Sequence, residues 1–181
     1  MTRGYIAGGD DPPEPPRKGV MVAGIGNIFL GDDGFGPEVV RHLAADPAGL
    51  PEGVRLVDYG IRGMHLAYDL LAGYEALVLV DAVPGPGPPG ELVVLEIGPE
   101  DLGQSEFDAH GMAPVAVLAT LPSLGGELPP TYLVGCRPAD CEEGIGLSGL
   151  VRDAVPAAAE AVRSLVGRLV AERVAVPRGG C

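Results

Sequence analysis

Four aspartates lie directly after three successive predicted strands, a position from which side chains can act together in α/β proteins. Asp32 and Asp33 follow the first strand, Asp58 ends the second and Asp81 ends the third. Because the carboxyl ends of parallel strands meet at one edge of a sheet, and ligands bind there where the strand order reverses, these side chains are expected to converge. His110, at the start of a later predicted helix, can reach the same crevice.

Two or three carboxylates with one imidazole form a ligand set that suits a borderline divalent metal and leaves a coordination position open for a substrate. Carboxylates crowded together without a cation would repel one another. A helix is also predicted to begin near Pro37, and the positive end of its dipole favours ionised carboxylates beside it. The sequence therefore predicts a site for a cation at this edge of the sheet.

Simpler interpretations stay open for each of these residues. Asp32 or Asp33 could cap the helix that follows, since Asp is a common N-cap residue. Asp58 and Asp81 could serve only to cap loops, and His110 could be an ordinary residue at a helix start.

The turn Gly24-Ile25-Gly26 also suggests a dinucleotide-binding loop. That fingerprint requires a third glycine where this chain has Phe29, and two acids stand where a pyrophosphate would need bare N–H groups. A nucleotide-binding protein is therefore the weaker alternative.

The elements that must position these residues alternate between strands and helices. Strands are predicted over 20–24, 54–58, 76–80, 91–97 and 131–136, and helices after Asp33, over 64–71 and 112–121, and from Ser148 onward. The linker 84–90 is too short for a parallel crossover, which needs about 10–12 residues, so the next strand should run antiparallel near an edge. This order predicts an α/β fold, a three-layer α/β/α sandwich around a doubly wound, mostly parallel five-stranded sheet with one antiparallel strand.

Length, composition and charge restrict the domain count and the class of partner. The 181 residues fit a single domain over 19–175, after a proline-rich extension (1–18) that we expect to be disordered and before a flexible tail (176–181). A formal net charge of −13 argues against nucleic acid and anionic membranes as partners. Without an apolar run of about 18 residues or a secretory signal, a cytoplasmic protein is expected. A monomer is also expected.

The three cysteines, Cys136, Cys141 and Cys181, lack the paired short spacing of a structural zinc site and are predicted to be reduced thiols. Metal binding by Cys136 and Cys141 is the alternative. Neither Cys136 nor Ser148 sits in a nucleophile turn with a neighbouring base, so covalent catalysis is disfavoured.

Several short motifs occur in a fixed order between about residues 19 and 170. They are Gly24-Ile25-Gly26-Asn27, Asp32-Asp33-Gly34-Phe35-Gly36, Asp58-x-Gly60, Val80-Asp81-Ala82, His110-Gly111, Val134-Gly135-Cys136-Arg137-Pro138 and Gly146-Leu147-Ser148. In this combination the chain resembles the hydrogenase maturation proteases, which are endopeptidases that remove the C-terminal extension from the large-subunit precursor of [NiFe] hydrogenase.

The resemblance implies the α/β/α fold predicted above and a peptidase activity on that precursor. It implies that Asp33, Asp58 and His110 are the residues that contact nickel and support hydrolysis. The nickel is carried by the precursor, where it marks a substrate ready to be cut. A non-proteolytic, nickel-dependent binding module or chaperone for the large subunit would use the same ligands and is the alternative.

The chain departs from the family pattern at three positions near the predicted site. Many members have the longer Glu where Asp33 stands, and Tyr59 and Ile61 replace smaller residues. These differences bear on pocket shape and choice of partner. The identity of the hydrogenase, the position of the cut and the role of Asp81 are left open at this stage.

Overall fold

The computed structural model describes residues 18–102 and 116–175. In this part of the chain five strands form one sheet: β1 (Lys18–Ile25), β2 (Arg55–Gly60), β3 (Tyr74–Ala82), β4 (Leu92–Ile97) and β5 (Thr131–Cys136). Lys18, the last residue of the predicted extension, already belongs to β1. Residues 1–17 and 176–181 lie outside the described residues, so the expected disorder of both termini stays a prediction.

The strand order is β2-β1-β3-β5-β4. β1 pairs in parallel with β2 and β3, β3 pairs in parallel with β5, and β4 pairs antiparallel with β5 at the edge of the sheet. The predicted mostly parallel sheet with one antiparallel strand is therefore confirmed. The short linker before β4 is the reason, since it leaves no room for the crossover that a parallel partner requires.

Within the described ranges, the α-helices with both bounds given are α1 (Phe35–Ala45), α2 (Gly63–Leu70) and α3 (Gly149–Ala175), and 3₁₀ helices lie at Gly31–Gly34 and Val117–Leu124. Of the α-helix predicted over 112–121, residues 116–121 are described: Ala116 is α-helical, and from Val117 onward the prediction is wrong, because the chain continues as the second 3₁₀ helix. Pro122 lies inside that helix. Proline lacks the N–H of an α-helical hydrogen bond and clashes with the carbonyl four residues before it, which favours the shorter winding.

The sheet lies between two apolar layers. On one face, α1 and α3 pack against alternate residues of β3 such as Val78 and Val80, and on the other face α2 and the second 3₁₀ helix pack against Leu77 and Leu79. Val155 and Val162 of α3 are buried in the layer that packs against the sheet. This is the three-layer α/β/α sandwich, and no helix within 18–102 or 116–175 is long and apolar enough to cross a membrane.

The carboxyl end of β1 is the point where the strand order reverses, because β2 lies on one side of β1 and β3 on the other. Gly24 there pairs with Asp58 of β2 and with Val80 of β3, the residue before Asp81. Gly36 lets α1 begin directly against this end, since a Cβ on it would overlap the carbonyl oxygens of Ile25 and Val80. The register therefore brings the ends of three strands and the start of α1 together.

Candidate active site

Asp33 is held at this switch point by the loop that leaves β1. The backbone N–H of Asn27 donates to Asp33 Oδ2 at 2.6 Å, and the carboxylate is half-buried. Gly26 makes the close turn with φ +126°, and a Cβ there would overlap the carbonyl oxygen of Asp33. Only glycine fits this position, because both the backbone conformation and the approach of Asp33 exclude a side chain.

Asp58 reaches the same place from β2. The N–H of Gly26 donates to the carbonyl of Gly60 at 3.1 Å, which joins the β1 loop to the end of β2 across a register shift. The position of a Cβ on Gly60 would lie 3.7 Å from Asp58 Oδ1 and 3.5 Å from the carbonyl oxygen of Gly26. The side chain of Asp58 is exposed beside this joint.

Arg62 fixes the turn that carries Asp58. Its guanidinium donates to the backbone carbonyls of Asp58 at 2.7 Å and Tyr59 at 3.1 Å. The backbone N–H of Arg62 also donates to the carbonyl of Tyr59 at 2.9 Å, so Arg62 holds this turn through its carbonyls and does not occupy the carboxylate of Asp58. Asp33 and Asp58 therefore both lie next to the backbone bond between Gly26 and Gly60.

Asp81 is also at this edge, but it is buried, with 3% of its surface exposed. Its Oδ1 accepts the N–H of Ala82 at 2.8 Å and lies 3.6 Å from the position a Cβ on Gly26 would take. Burial, and then the neighbouring charge of Asp33, raises the pKa of Asp81 well above its usual value. The neutral form is favoured because a charged carboxyl loses its hydration there.

Asp32 does not join the other carboxylates, contrary to the expectation that it shares a cation site with Asp33. It is fully buried and accepts four hydrogen bonds, from the N–H groups of Ala139, Asp140 and Ser148 and from the Ser148 hydroxyl, at 2.6 to 3.0 Å. Burial alone would raise the pKa of Asp32, but these bonds outweigh it and lower the pKa. The carboxylate fastens the loop after β5 to the loop after β1.

The last helix is predicted to begin at Ser148, and the carbonyl of Ser148 accepts the N–H of Arg152 in the first turn of α3. Its hydroxyl, however, donates to Asp32. Sequence reasoning missed this contact, since the two residues are 116 positions apart and nothing local in either segment indicates the other.

The two described cysteines are free thiols with raised pKa values. Burial, followed by the charge of Asp32, raises the pKa of Cys136 to about 11. Burial, followed by the charges of Asp33, Asp32 and Asp140, raises the pKa of Cys141 to about 11. Because the thiolate is the nucleophile, these values do not favour a cysteine mechanism at neutral pH.

His110 lies in the stretch 103–115, outside the described residues, so its place in the site stays a prediction. Within the two described ranges, no group of three or more His, Cys, Asp and Glu side chains is arranged to hold a metal ion. The structure thus brings Asp33 and Asp58 to one edge as predicted. Asp32 is buried with other partners, whereas Asp81 is buried beside Asp33.

Comparison with known proteins identifies this arrangement. A family model described as HycI, hydrogenase maturation protease, matches residues 37–165. The chain is 37% identical over 153 residues to the hydrogenase expression/formation protein HupD of Rhodobacter capsulatus, covering 81% of this chain and 70% of that protein. It is 34% identical over 171 residues to HupD of Rhizobium leguminosarum bv. viciae, covering 91% and 80%.

Solved structures agree with this match. The hydrogenase maturating endopeptidase HybD from E. coli superposes with a TM-score of 0.70 at 28% identity, covering 82% of this chain and 92% of that one. A hydrogenase 2 maturation peptidase from Thaumarchaeota archaeon SCGC_AB-539-E09 gives 0.64 at 36% identity, covering 83% and 99%. Fold and relatives together define a peptidase. The chain belongs to the hydrogenase maturation protease family, as its motifs indicated.

Proposed function

We propose that this chain removes the C-terminal extension of a [NiFe]-hydrogenase large-subunit precursor after nickel has been inserted. The observation that carries the proposal is that Asp33 and Asp58 both lie next to the bond between Gly26 and Gly60, at the point where the strand order reverses. The family match supplies the substrate class. Since newly made precursor is the substrate, we place the reaction in the cytoplasm.

In this proposal Asp33 and Asp58 bind the nickel that the precursor carries, and His110 is the third ligand. The N–H of Asn27 keeps one oxygen of Asp33 fixed, so the carboxylate meets the substrate in one orientation. Asp58 is exposed and free of the buried contacts that occupy Asp32. A metal held next to a peptide bond can polarise its carbonyl or lower the pKa of a bound water.

The peptide bond is therefore cut without a covalent intermediate on the protein. This agrees with the raised pKa values of Cys136 and Cys141. The residues of the chain orient the precursor so that its own metal stands beside the bond to be hydrolysed. Positioning of this kind supplies a large part of the rate enhancement in many enzymes.

The proposal is tested by incubating the purified protein with nickel-loaded and nickel-free precursor and measuring product masses by mass spectrometry. We expect a shortened large subunit from the nickel-loaded form only. Asp33→Ala, Asp58→Ala and His110→Ala should each lower the cleavage rate by about 100-fold or more, which corresponds to about 2.7 kcal/mol. His42→Ala is the matched control, because His42 is exposed on α1, and it should cleave normally.

Normal cleavage by the Asp33 and Asp58 variants would remove the site assignment. Equal cleavage of nickel-free precursor would remove the role of nickel. Nickel-dependent binding of a precursor that stays uncut would favour the binding module over the peptidase reaction.

A further inference from the structure

The loop that carries Asn27 beside Asp33 runs next to the loop that follows β5. The N–H of Gly144 donates to the carbonyl of Phe29 at 2.9 Å, and the N–H of Gly31 donates to the carbonyl of Gly144 at 3.0 Å, with a parallel bridge between Leu30 and Gly144. The N–H of Asp32 also donates to the carbonyl of Asp140 at 2.8 Å. With the bonds to the Asp32 carboxylate, this pairing makes the two loops one fixed surface.

Three large apolar side chains stand on this surface. Ile28 is 47% exposed, Phe29 60% and Ile145 82%, and we refer to them as the rim patch. They are held by a hydrogen-bonded backbone, since the N–H of Phe29 donates to Asn27 Oδ1 at 3.0 Å while the N–H of Asn27 donates to Asp33. The rim patch is therefore continuous with the backbone that positions Asp33.

Acidic residues flank the rim patch on one side. Asp140, Glu142 and Glu143 are all exposed in the loop before Ile145, and the N–H of Glu142 donates to Asp140 Oδ1 at 2.8 Å. The nearest basic residues along the chain are Arg137, which donates to the carbonyls of Val83 and Pro84, and Arg152, which lines a hollow with Ile145 on the other side of the patch. A partner that covers Ile145 must therefore approach this negative segment as well.

We propose that the rim patch and its acidic flank bind an extended segment of the precursor next to the bond that is cut, and that this segment combines apolar side chains with Lys or Arg. The inference rests on the proposed function, whose substrate it describes further. A second copy of this chain is a poor occupant because each copy carries a net charge of −13. An anionic membrane is disfavoured for the same reason.

The position of the patch matters as much as its composition. Val94 is also a large apolar residue, 52% exposed, but it lies on β4 at the far edge of the sheet, and β3 and β5 stand between that strand and β1. The rim patch instead adjoins the loop that holds Asp33. A peptide placed there leads directly to the carboxylates that meet the substrate nickel.

The test measures cleavage kinetics on a nickel-loaded precursor that the wild-type chain cuts. We expect Phe29→Ser with Ile145→Ser to raise KM by about tenfold, the factor that corresponds to about 1.4 kcal/mol, with little change in kcat. Glu142→Lys with Glu143→Lys should also raise KM, and it should weaken the dependence of KM on salt concentration, because a screened attraction has been removed. Val94→Ser is the matched control and should keep the wild-type KM.

Thermal unfolding of each variant verifies that it is folded. If the double variant Phe29→Ser with Ile145→Ser does not fold, the single variant Ile145→Ser replaces it, since Ile145 is almost fully exposed. If both the apolar and the charge variants cut the precursor with the wild-type KM, the binding role of the rim patch is overturned. The proposed function is not affected by that result. A wild-type chain that leaves nickel-loaded precursor uncut would overturn the proposed function itself.

Discussion

The Asp32 carboxylate accepts the backbone N–H of Ser148 at 2.6 Å and the hydroxyl of the same residue at 2.9 Å. Its neighbour Asp33 accepts the N–H of Asn27 and stays accessible at the edge of the sheet. Two adjacent aspartates therefore have different tasks. One joins two loops in the interior, and the other is available to a substrate.

Asp32→Ala should lower the free energy of unfolding by about 3 kcal/mol, because buried N–H groups lose their acceptor and a cavity replaces the carboxylate. Ser148→Ala removes a single hydroxyl donor to the same carboxylate and should cost about 1 kcal/mol. Urea denaturation of both variants and the wild type measures the difference. Equal stability of all three would contradict the role assigned to Asp32.

The effect of Asp32→Asn should depend on pH. Since hydrogen bonds lower the pKa of Asp32 in the folded state, its stabilising contribution is present above the unfolded pKa and is lost as pH falls through the folded pKa. The stability difference between wild type and variant should therefore be largest near pH 7 and shrink below about pH 4, where unfolded aspartates become protonated. Urea titrations at several pH values report the trend.

Asp81→Asn should show the opposite trend. An acid whose pKa is raised on folding holds a proton that the unfolded chain has released, so its contribution to stability falls as pH rises between the two pKa values. The amide removes that penalty and keeps an acceptor for the N–H of Ala82. Relative to wild type, the variant should gain stability from pH 4 to pH 7, and parallel pH curves for the two proteins would refute this assignment.

Gly36→Ala should destabilise the protein by about 3 kcal/mol or more, because the added methyl group would meet two backbone carbonyl oxygens that cannot move independently. Gly167→Ala is the matched control. Nothing lies within 4 Å of a Cβ at that position of α3, so alanine should stabilise the helix by about 0.5–1 kcal/mol. Thermal and urea unfolding compare the two variants directly.

Cys141→Ser and Cys136→Ala should leave the rate of precursor cleavage within about twofold of wild type, provided that the variants are folded. With a pKa of about 11, only about one thiol in ten thousand is ionised at pH 7. Alkylation with iodoacetamide should be slow at that pH. A loss of cleavage by folded Cys141→Ser would point to a thiol in the reaction.

Much of the architecture was predictable from local features of the sequence. The apolar runs defined the strands, and the short linker before β4 defined its direction, because a crossover needs a minimum length of chain. The acids at the strand ends could be expected to share one edge, since topology places those ends together. Asp33 and Asp58 follow this rule.

What local sequence could not separate was Asp32 from Asp33. Both are acids directly before a helix, and the difference lies in a loop more than 100 residues away that supplies hydrogen-bond donors to only one of them. The burial of Asp81 could not be predicted for a related reason, since it depends on how closely the Gly26 turn approaches this side chain. Properties that arise from packing between distant segments leave little trace in the residues themselves.

The partners of Asp32 also determine when the molecule can be completed during its synthesis. Asp32 leaves the ribosome before Ala139, Asp140 and Ser148, which emerge more than 100 residues later. Nascent chains fold from the N-terminus as they appear, so the segments of β1, β2 and β3 are made before this carboxylate can meet its donors. The surface beside Asp33 is therefore finished only after residue 148 has emerged, and a chain that stops before residue 139 would lack the backbone groups that bind Asp32.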